Sequence, residues 1–187
     1  MLLVVVLGAG CQVPPLVTFH GDSMGAQART QITNRLSRDH RVIFRARERA
    51  VISTMTPGIR DVVSRAHPPD IVIVELGAGD AFNWHGPARM RQDIRRVLQL
   101  TRNVPCVRWL SLKIGGVNGF YRGYVALADD FNRILARQAA LYPNVRVAPY
   151  RQWAAAHPNS FKADGLHHTA RGKVRYAQFI QGVADRC

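Results

Sequence analysis

The chain has 187 residues, 47% of them hydrophobic and 20% charged, with 26 Lys and Arg against 12 Asp and Glu. That length suits one compact domain, and the ordinary apolar fraction excludes wholesale disorder. The formal charge of +14 rests mostly on arginine, since Lys113, Lys162 and Lys173 are the only lysines. The arginines run along the whole chain (Arg29, Arg45, Arg60, Arg89, Arg108, Arg133, Arg151, Arg175) rather than forming one stripe. A dispersed, solvated surface is expected, with no specific nucleic-acid partner; any attraction for anionic polymers or lipid head groups would weaken with salt.

The first element is the apolar stretch Met1–Gly10, followed by Cys11 and Pro14-Pro15. It is shorter than a spanning helix and resembles the core and cleavage region of a secretory signal. Gly8-Ala9-Gly10-Cys11 also resembles a bacterial lipoprotein box, in which Cys11 would carry a lipid and anchor the protein to a membrane. The box's usual Leu is replaced by Gly8, and no basic residue precedes the apolar run. A dinucleotide-binding turn at Gly8–Gly10 fails, because its third glycine would fall at Val13 and Pro14-Pro15 blocks the helix that should follow. Residues 1–15 are therefore read as a leader and 16–187 as the domain, exported to the cell envelope or beyond. Cys11, Cys106 and Cys187 are too far apart for a metal site; in an exported protein Cys106 and Cys187 could pair.

From Leu16 onward, Val- and Ile-rich runs at Leu16–His20, Val42–Ala46, Ile71–Leu76, Val104–Leu112 and Val145–Ala148 predict short buried strands. Helical stretches separate them. One is expected over 24–37, and one over 121–142 with Tyr124, Ala128, Phe131, Leu135 and Ala139 on its inner face. The last, over 169–185, has Thr169 as N-cap and Val174, Ala177, Ile180 and Val183 inward. Apolar strands alternating with helices imply an α/β fold, a five-stranded parallel sheet covered on both faces. Its site should lie beyond the C-terminal strand ends, at Gly21–Gly25, Gly77–Asn83 and the loops near Gly115 and Asp164.

The first strand runs into His20-Gly21-Asp22-Ser23-Met24-Gly25, which exposes a serine where a helix begins. Near the other end stands Asp164-Gly165-Leu166-His167, followed by His168. A serine becomes a good nucleophile when a histidine removes its proton and a carboxylate fixes that histidine's tautomer. Ser23, His167 and Asp164 supply those parts in the order Ser…Asp…His. Asp22 and Asp80 are read as loop anchors that accept backbone N–H bonds. His20 is read as packed beneath the serine turn, and His168 as a solvent-facing neighbour.

These two blocks resemble those of the SGNH/GDSL hydrolases: Gly21-Asp22-Ser23 is similar to the nucleophile block and Asp164-Gly165-Leu166-His167 to the closing block. The resemblance implies a flavodoxin-like three-layer α/β/α sandwich and a cofactor-free serine esterase or acyltransferase. Its substrate would be a small-molecule, glycan or lipid ester, and the protein is expected to be a monomer. The family's third block usually reads Gly-x-Asn-Asp, its asparagine helping to bind the oxyanion. Here Leu76-Gly77-Ala78-Gly79-Asp80 puts Gly79 at that place. Losing one such donor costs about 2.7–4 kcal/mol. The Ser23 N–H, the backbone of Gly77 or Gly79, and the Asn83 side chain are the candidate replacements. Ser53 and Gly58 are candidates for the second-block donor. Lys113–Tyr124, with Asn118, and Trp84 and His85 are placed at the site edge.

Two other classes compete. Val74-Glu75-Leu76-Gly77-Ala78-Gly79 also looks like the first motif of S-adenosylmethionine-dependent methyltransferases, but the next strand offers no carboxylate for the ribose. The altered oxyanion region alternatively suggests a catalytically silent binding protein on the same fold.

Overall fold

The computed structural model describes residues 13–115 and 123–187. The expectations for the leader, for Cys11 and for Asn118 fall outside the described residues. Within them, five strands form one sheet: β1 Leu16–Gly21, β2 Arg41–Ala46, β3 Ile71–Glu75, β4 Cys106–Leu110 and β5 Val145–Ala148. Every pairing is parallel, in the order β2-β1-β3-β4-β5. The helices are α1 Ser23–Gln27, α2 Arg29–Leu36, α3 Ile52–Val63, α4 Ala78–Phe82, α5 Pro87–Leu100, α6 Val125–Ala139, α7 Tyr150–Ala156 and α8 Ala170–Ala184. Helix α2 packs on α8, while α5 packs on both α3 and α6, which gives the three-layer sandwich expected.

The central strands explain why the sheet must be covered on both sides. All residues of β3 are buried, and β1 is buried from Val17 onward, so neither face can meet water. The strand order reverses between β1 and β3, and the crevice beyond their C-terminal ends is where such sheets hold ligands. The turn after β1 carries Ser23; the turn after β3 carries Gly77–Asn83. Both open into that crevice.

Three elements differ from expectation. The helix over 24–37 breaks at Ala28 into α1 and α2. Strand β4 is shorter than 104–112, because Val104 turns back to donate to the Thr101 carbonyl (3.0 Å) and Pro105 has no N–H for the ladder. Beyond it, Asn132 of α6 clamps the Leu112 backbone from both sides, at 2.7 and 2.8 Å. In α8 Val174 is 50% exposed and Tyr176 is buried in its stead, so the inner face is rotated from the one predicted. By contrast Ala128, Phe131, Leu135 and Ala139 of α6 are all buried, although Tyr124, the fifth residue predicted on this face, precedes the helix as its N-cap and is half-buried. The sulfurs of Cys106 and Cys187 are at bonding distance, with Cα atoms 5.7 Å apart.

Candidate active site

Ser23 is placed by the abrupt end of β1. The Asp22 N–H donates to the carbonyl of Glu75 on β3 (3.1 Å), and the Asp22 side chain accepts the Met24 N–H (3.1 Å), capping α1. Ser23 is thus the first residue of a helix, half-buried, and its own N–H has no intrahelical acceptor.

The second half of the site comes from the loop before α8. Phe161 and His168 form an antiparallel bridge, Lys162 donates to the His167 carbonyl (2.7 Å), and Gly165 donates to the Lys162 carbonyl (2.8 Å). This tight turn aims one oxygen of Asp164 at the N–H groups of Leu166 and His167, both at 2.9 Å, and leaves the other for the imidazole. His167 Nδ1 is 2.8 Å from Asp164 Oδ2, and His167 Nε2 is 3.2 Å from Ser23 Oγ. Residues 144 positions apart therefore meet in one hydrogen-bonded row. With Asp164 accepting from Nδ1–H, the Nε2 lone pair faces the hydroxyl.

Partial burial works against the charged form of Asp164, but the two N–H groups and the imidazole outweigh it and hold its carboxyl below the usual range. Lys113 braces the same turn from the loop after β4: its ammonium donates to the carbonyls of Gly115 (2.7 Å) and Gly165 and lies 4.2 Å from the centre of the Phe161 ring. Burial lowers its pKa, and the nearby Asp164 carboxylate opposes that shift.

The row opens into a cleft of about 500 Å³, within the range of ligand sites. Phe82, Tyr124 and Leu166 give it apolar walls, and Gln27, Glu48 and Arg49 give it polar ones. Arg49 is the one non-glycine residue with positive φ (58°) among the described residues. A second cleft of about 390 Å³ shares Asn83 with the first and is lined by Ser53, Asp80, His85 and Arg89.

The candidate oxyanion residues separate. Gly77 precedes α4, and Gly79 lies in its first turn on the wall of the Ser23 cleft. A Cβ at Gly79 would stand 2.4 Å from the Ala50 carbonyl oxygen. An asparagine there would strike the backbone of the loop between β2 and α3, a physical reason for the glycine. Asn83 lines the cleft, but its amide already donates to the Gly79 carbonyl at 2.8 Å. The Ala50 N–H is engaged by the Arg47 carbonyl at 3.2 Å. Gly58 stands apart: it lies inside α3, with its carbonyl accepting from Arg45 at 3.3 Å, and does not line the cleft. Ser53 lines the adjoining cleft instead.

Asp80 anchors a loop as expected, accepting the Ile52 N–H at 3.0 Å. His20 is fully buried, and burial brings its pKa down to about 3. His168 is not solvent-facing. It is buried 3.0 Å from the Tyr150 hydroxyl and stacks on Tyr176, and burial lowers its pKa to about 3. Lys113 was placed at the site edge, but its brace on the Asp164 turn, like Arg49 and the role of Glu75 beneath the serine turn, escaped the sequence. Only the turn-like setting of Arg49 and the placement of Lys113 at a strand end offered a signal. Among the described residues no group of three or more His, Cys, Asp or Glu could hold a metal ion.

No curated protein matches the chain significantly. Its fold is similar to several solved structures. The catalytic domain of Streptococcus pneumoniae peptidoglycan O-acetyltransferase A, solved with a methylsulfonyl adduct, is 15% identical with a TM-score of 0.72, covering 94% of this chain and 95% of that one. TesA is 19% identical with a TM-score of 0.71, covering 91% and 98%. The lipase/acylhydrolase from Enterococcus faecalis is 15% identical with a TM-score of 0.71, covering 92% and 96%. The sequence profile of the GDSL-like Lipase/Acylhydrolase family matches residues 8–175, and the chain belongs to that family.

Proposed function

We propose that the protein is a serine esterase or acyltransferase in which Ser23 is the nucleophile, His167 the general base and Asp164 the group that orients it. The observation that carries this reading is the row Ser23 Oγ, His167 Nε2, His167 Nδ1, Asp164 Oδ2, with steps of 3.2 and 2.8 Å. Ser23 Oγ attacks an ester carbonyl while His167 Nε2 takes its proton. The oxyanion is met by the Ser23 N–H and the N–H of Gly79, both in first turns of helices facing the cleft. His167 then protonates the leaving alcohol, and water or another hydroxyl releases the acyl group from Ser23. No step calls for a cofactor.

The apolar wall of Phe82, Tyr124 and Leu166 suits an acyl chain, and the rim of Gln27, Glu48 and Arg49 suits a polar alcohol. A small-molecule, glycan or lipid ester fits; the structurally similar peptidoglycan O-acetyltransferase makes the glycan ester the first class to try. Export belongs to the same reading, supported by the apolar start of the chain and the Cys106–Cys187 pair, with lipidated Cys11 as the anchor and a monomer as the working state. The methyltransferase reading is set aside, because Glu75 is buried beneath the serine turn and does not face the crevice.

A silent binding protein has one observation in its favour: the Asn83 amide and the Ala50 N–H are already engaged. One experiment separates the two. A fluorophosphonate probe should label the native protein at Ser23, as read by peptide mass spectrometry. Ser23→Ala should lose both labelling and hydrolysis of a short acyl ester, by at least ~1,000-fold, with unchanged circular dichroism. Absence of labelling on the native protein would favour the silent reading.

A further inference from the structure

Directly beneath Ser23 lies a pair of carboxyls that the proton relay does not use. Glu75, the last residue of β3, is 3% exposed and Asp22 is 2% exposed. Glu75 Oε2 accepts the N–H of Asp22 at 3.1 Å and the N–H of Gly25 at 3.0 Å, one on either side of Ser23. The same oxygen explains two glycines, since a Cβ at Gly21 or Gly25 would stand 2.4 or 2.7 Å from it. The serine turn is thus folded around this carboxyl group.

The hydrogen-bond inventory of the pair is incomplete as two anions. Asp22 Oδ1 accepts from the Met24 N–H at 3.1 Å. Asp22 Oδ2 and Glu75 Oε1 are buried with no N–H or O–H donor. The two carboxyls are neighbours, since Glu75 Oε2 reaches the Asp22 backbone at 3.1 Å, and neither forms an ion pair with Lys or Arg among the described residues. Two adjacent buried anions without a cation repel strongly, and one proton shared between them would give the two orphaned oxygens a hydrogen bond.

We propose that Glu75 is a positioning residue for Ser23: its carboxyl, sharing one proton with Asp22, holds the Gly21–Gly25 turn so that the hydroxyl meets His167. The assignment rests on Ser23 being the nucleophile, but the protonation of the pair does not. Burial, and for Glu75 the neighbouring Asp22 carboxyl, push both groups above the usual carboxylate range, Glu75 well above it. The titratable groups facing the pair are His167 from the closing loop, Asp80 from α4, Tyr150 from α7 and Tyr176 from α8. The pair carries one negative charge, which favours the imidazolium that forms on His167 during attack. A second charge at high pH would force the carboxyls apart and pull on the turn.

Three variants test this. Glu75→Gln replaces the shared proton with an amide N–H that cannot be lost. It should keep kcat within about threefold of native at neutral pH. An alkaline fall in kcat with KM nearly constant is expected of the native protein, and the variant should abolish it. Glu75→Leu, of similar size but without hydrogen bonds, should lower kcat by ~100-fold or more; Glu75→Asp, one methylene short of the Asp22 and Gly25 N–H groups, should recover little of the loss. Infrared difference spectra should show a protonated-carboxyl band at pH 7.5 that Glu75→Gln diminishes, a readout that needs no activity and survives if Glu75→Leu fails to fold. An unchanged infrared band in Glu75→Gln, or an alkaline fall identical to the native one, would overturn the proposal. Failure of the native protein to react with fluorophosphonate would instead remove the nucleophile assignment and leave the carboxyl pair standing.

Discussion

Asp80 presents both carboxyl oxygens to the Ile52 N–H at the start of α3, at 3.2 and 3.0 Å, an anchor set from a different helix. Its pKa rises to about 7, chiefly through burial; the Ile52 N–H opposes the rise, and weaker repulsion from Asp93 and Asp22 adds to it. In the unfolded chain the group titrates near 3.8. Between those two values the folded state binds more protons, so this residue's contribution to stability falls as pH rises from about 4 to about 7. Asp80→Asn keeps an acceptor for Ile52 and removes the titration. Thermal melts should show the variant gaining on the native protein by ~2–4 kcal/mol between pH 4 and pH 8. A gap that does not change with pH would show that Asp80 is not held protonated. At this scale the sequence was informative where chemistry is local: Ser23 at a strand end, and Asp164 three residues before His167. It offered Glu75 only as part of a methyltransferase-like motif, because its actual partners are Asp22 and Gly25 some fifty positions away. The exposure of His168 was misjudged because a neighbour's role says nothing of which way the next side chain turns.

Among the elements, the segment joining β2 to α3 decides what α4 can carry. Ala50 is fully buried, and its carbonyl presses on Gly79 from a distance that admits no side chain. The missing oxyanion asparagine is therefore a packing consequence as well as a chemical loss, and restoring it should fail. Gly79→Asn should leave kcat no higher than native and destabilise the fold by about 1–3 kcal/mol, as overpacking does when backbone must move. Kinetics on a short acyl ester together with a denaturant melt would check it. A gain in kcat at unchanged stability would mean that the loop yields. The mismatch at Gly79 was visible in the sequence, but its cause was not, because it is a contact between segments twenty-nine positions apart. The strands were legible from their Val and Ile runs. Helix faces were legible where the apolar spacing was regular, as in α6, and failed in α8, where Tyr176 rather than Val174 turns inward to stack on His168.

For the molecule as a whole, the Ser23–His167–Asp164 row depends on bringing the last fifth of the chain back across the sheet. Helix α8 starts at Ala170, two residues after His168, with the Thr169 side chain capping it through the Gly172 N–H at 3.0 Å. It packs along α2, and past its far end Cys187 meets Cys106 at the start of β4. The helix is thus fixed at one end by its cap, with the His167 loop beside it, and a Cys106–Cys187 bond would fix the other. A link closing 81 residues restricts the unfolded chain and should contribute about 2–4 kcal/mol. Because packing on α2 and the Thr169 cap remain when the link is cut, the loss should fall on stability and not on chemistry. Cys187→Ser should melt roughly 5–15 °C lower. Its kcat should match the native value at 25 °C. Reductant should lower the native midpoint by the same amount and leave the variant's unmoved. If reductant has no effect on the native protein and alkylation finds both thiols free, α8 is held by its cap and apolar face alone, and export loses its structural support.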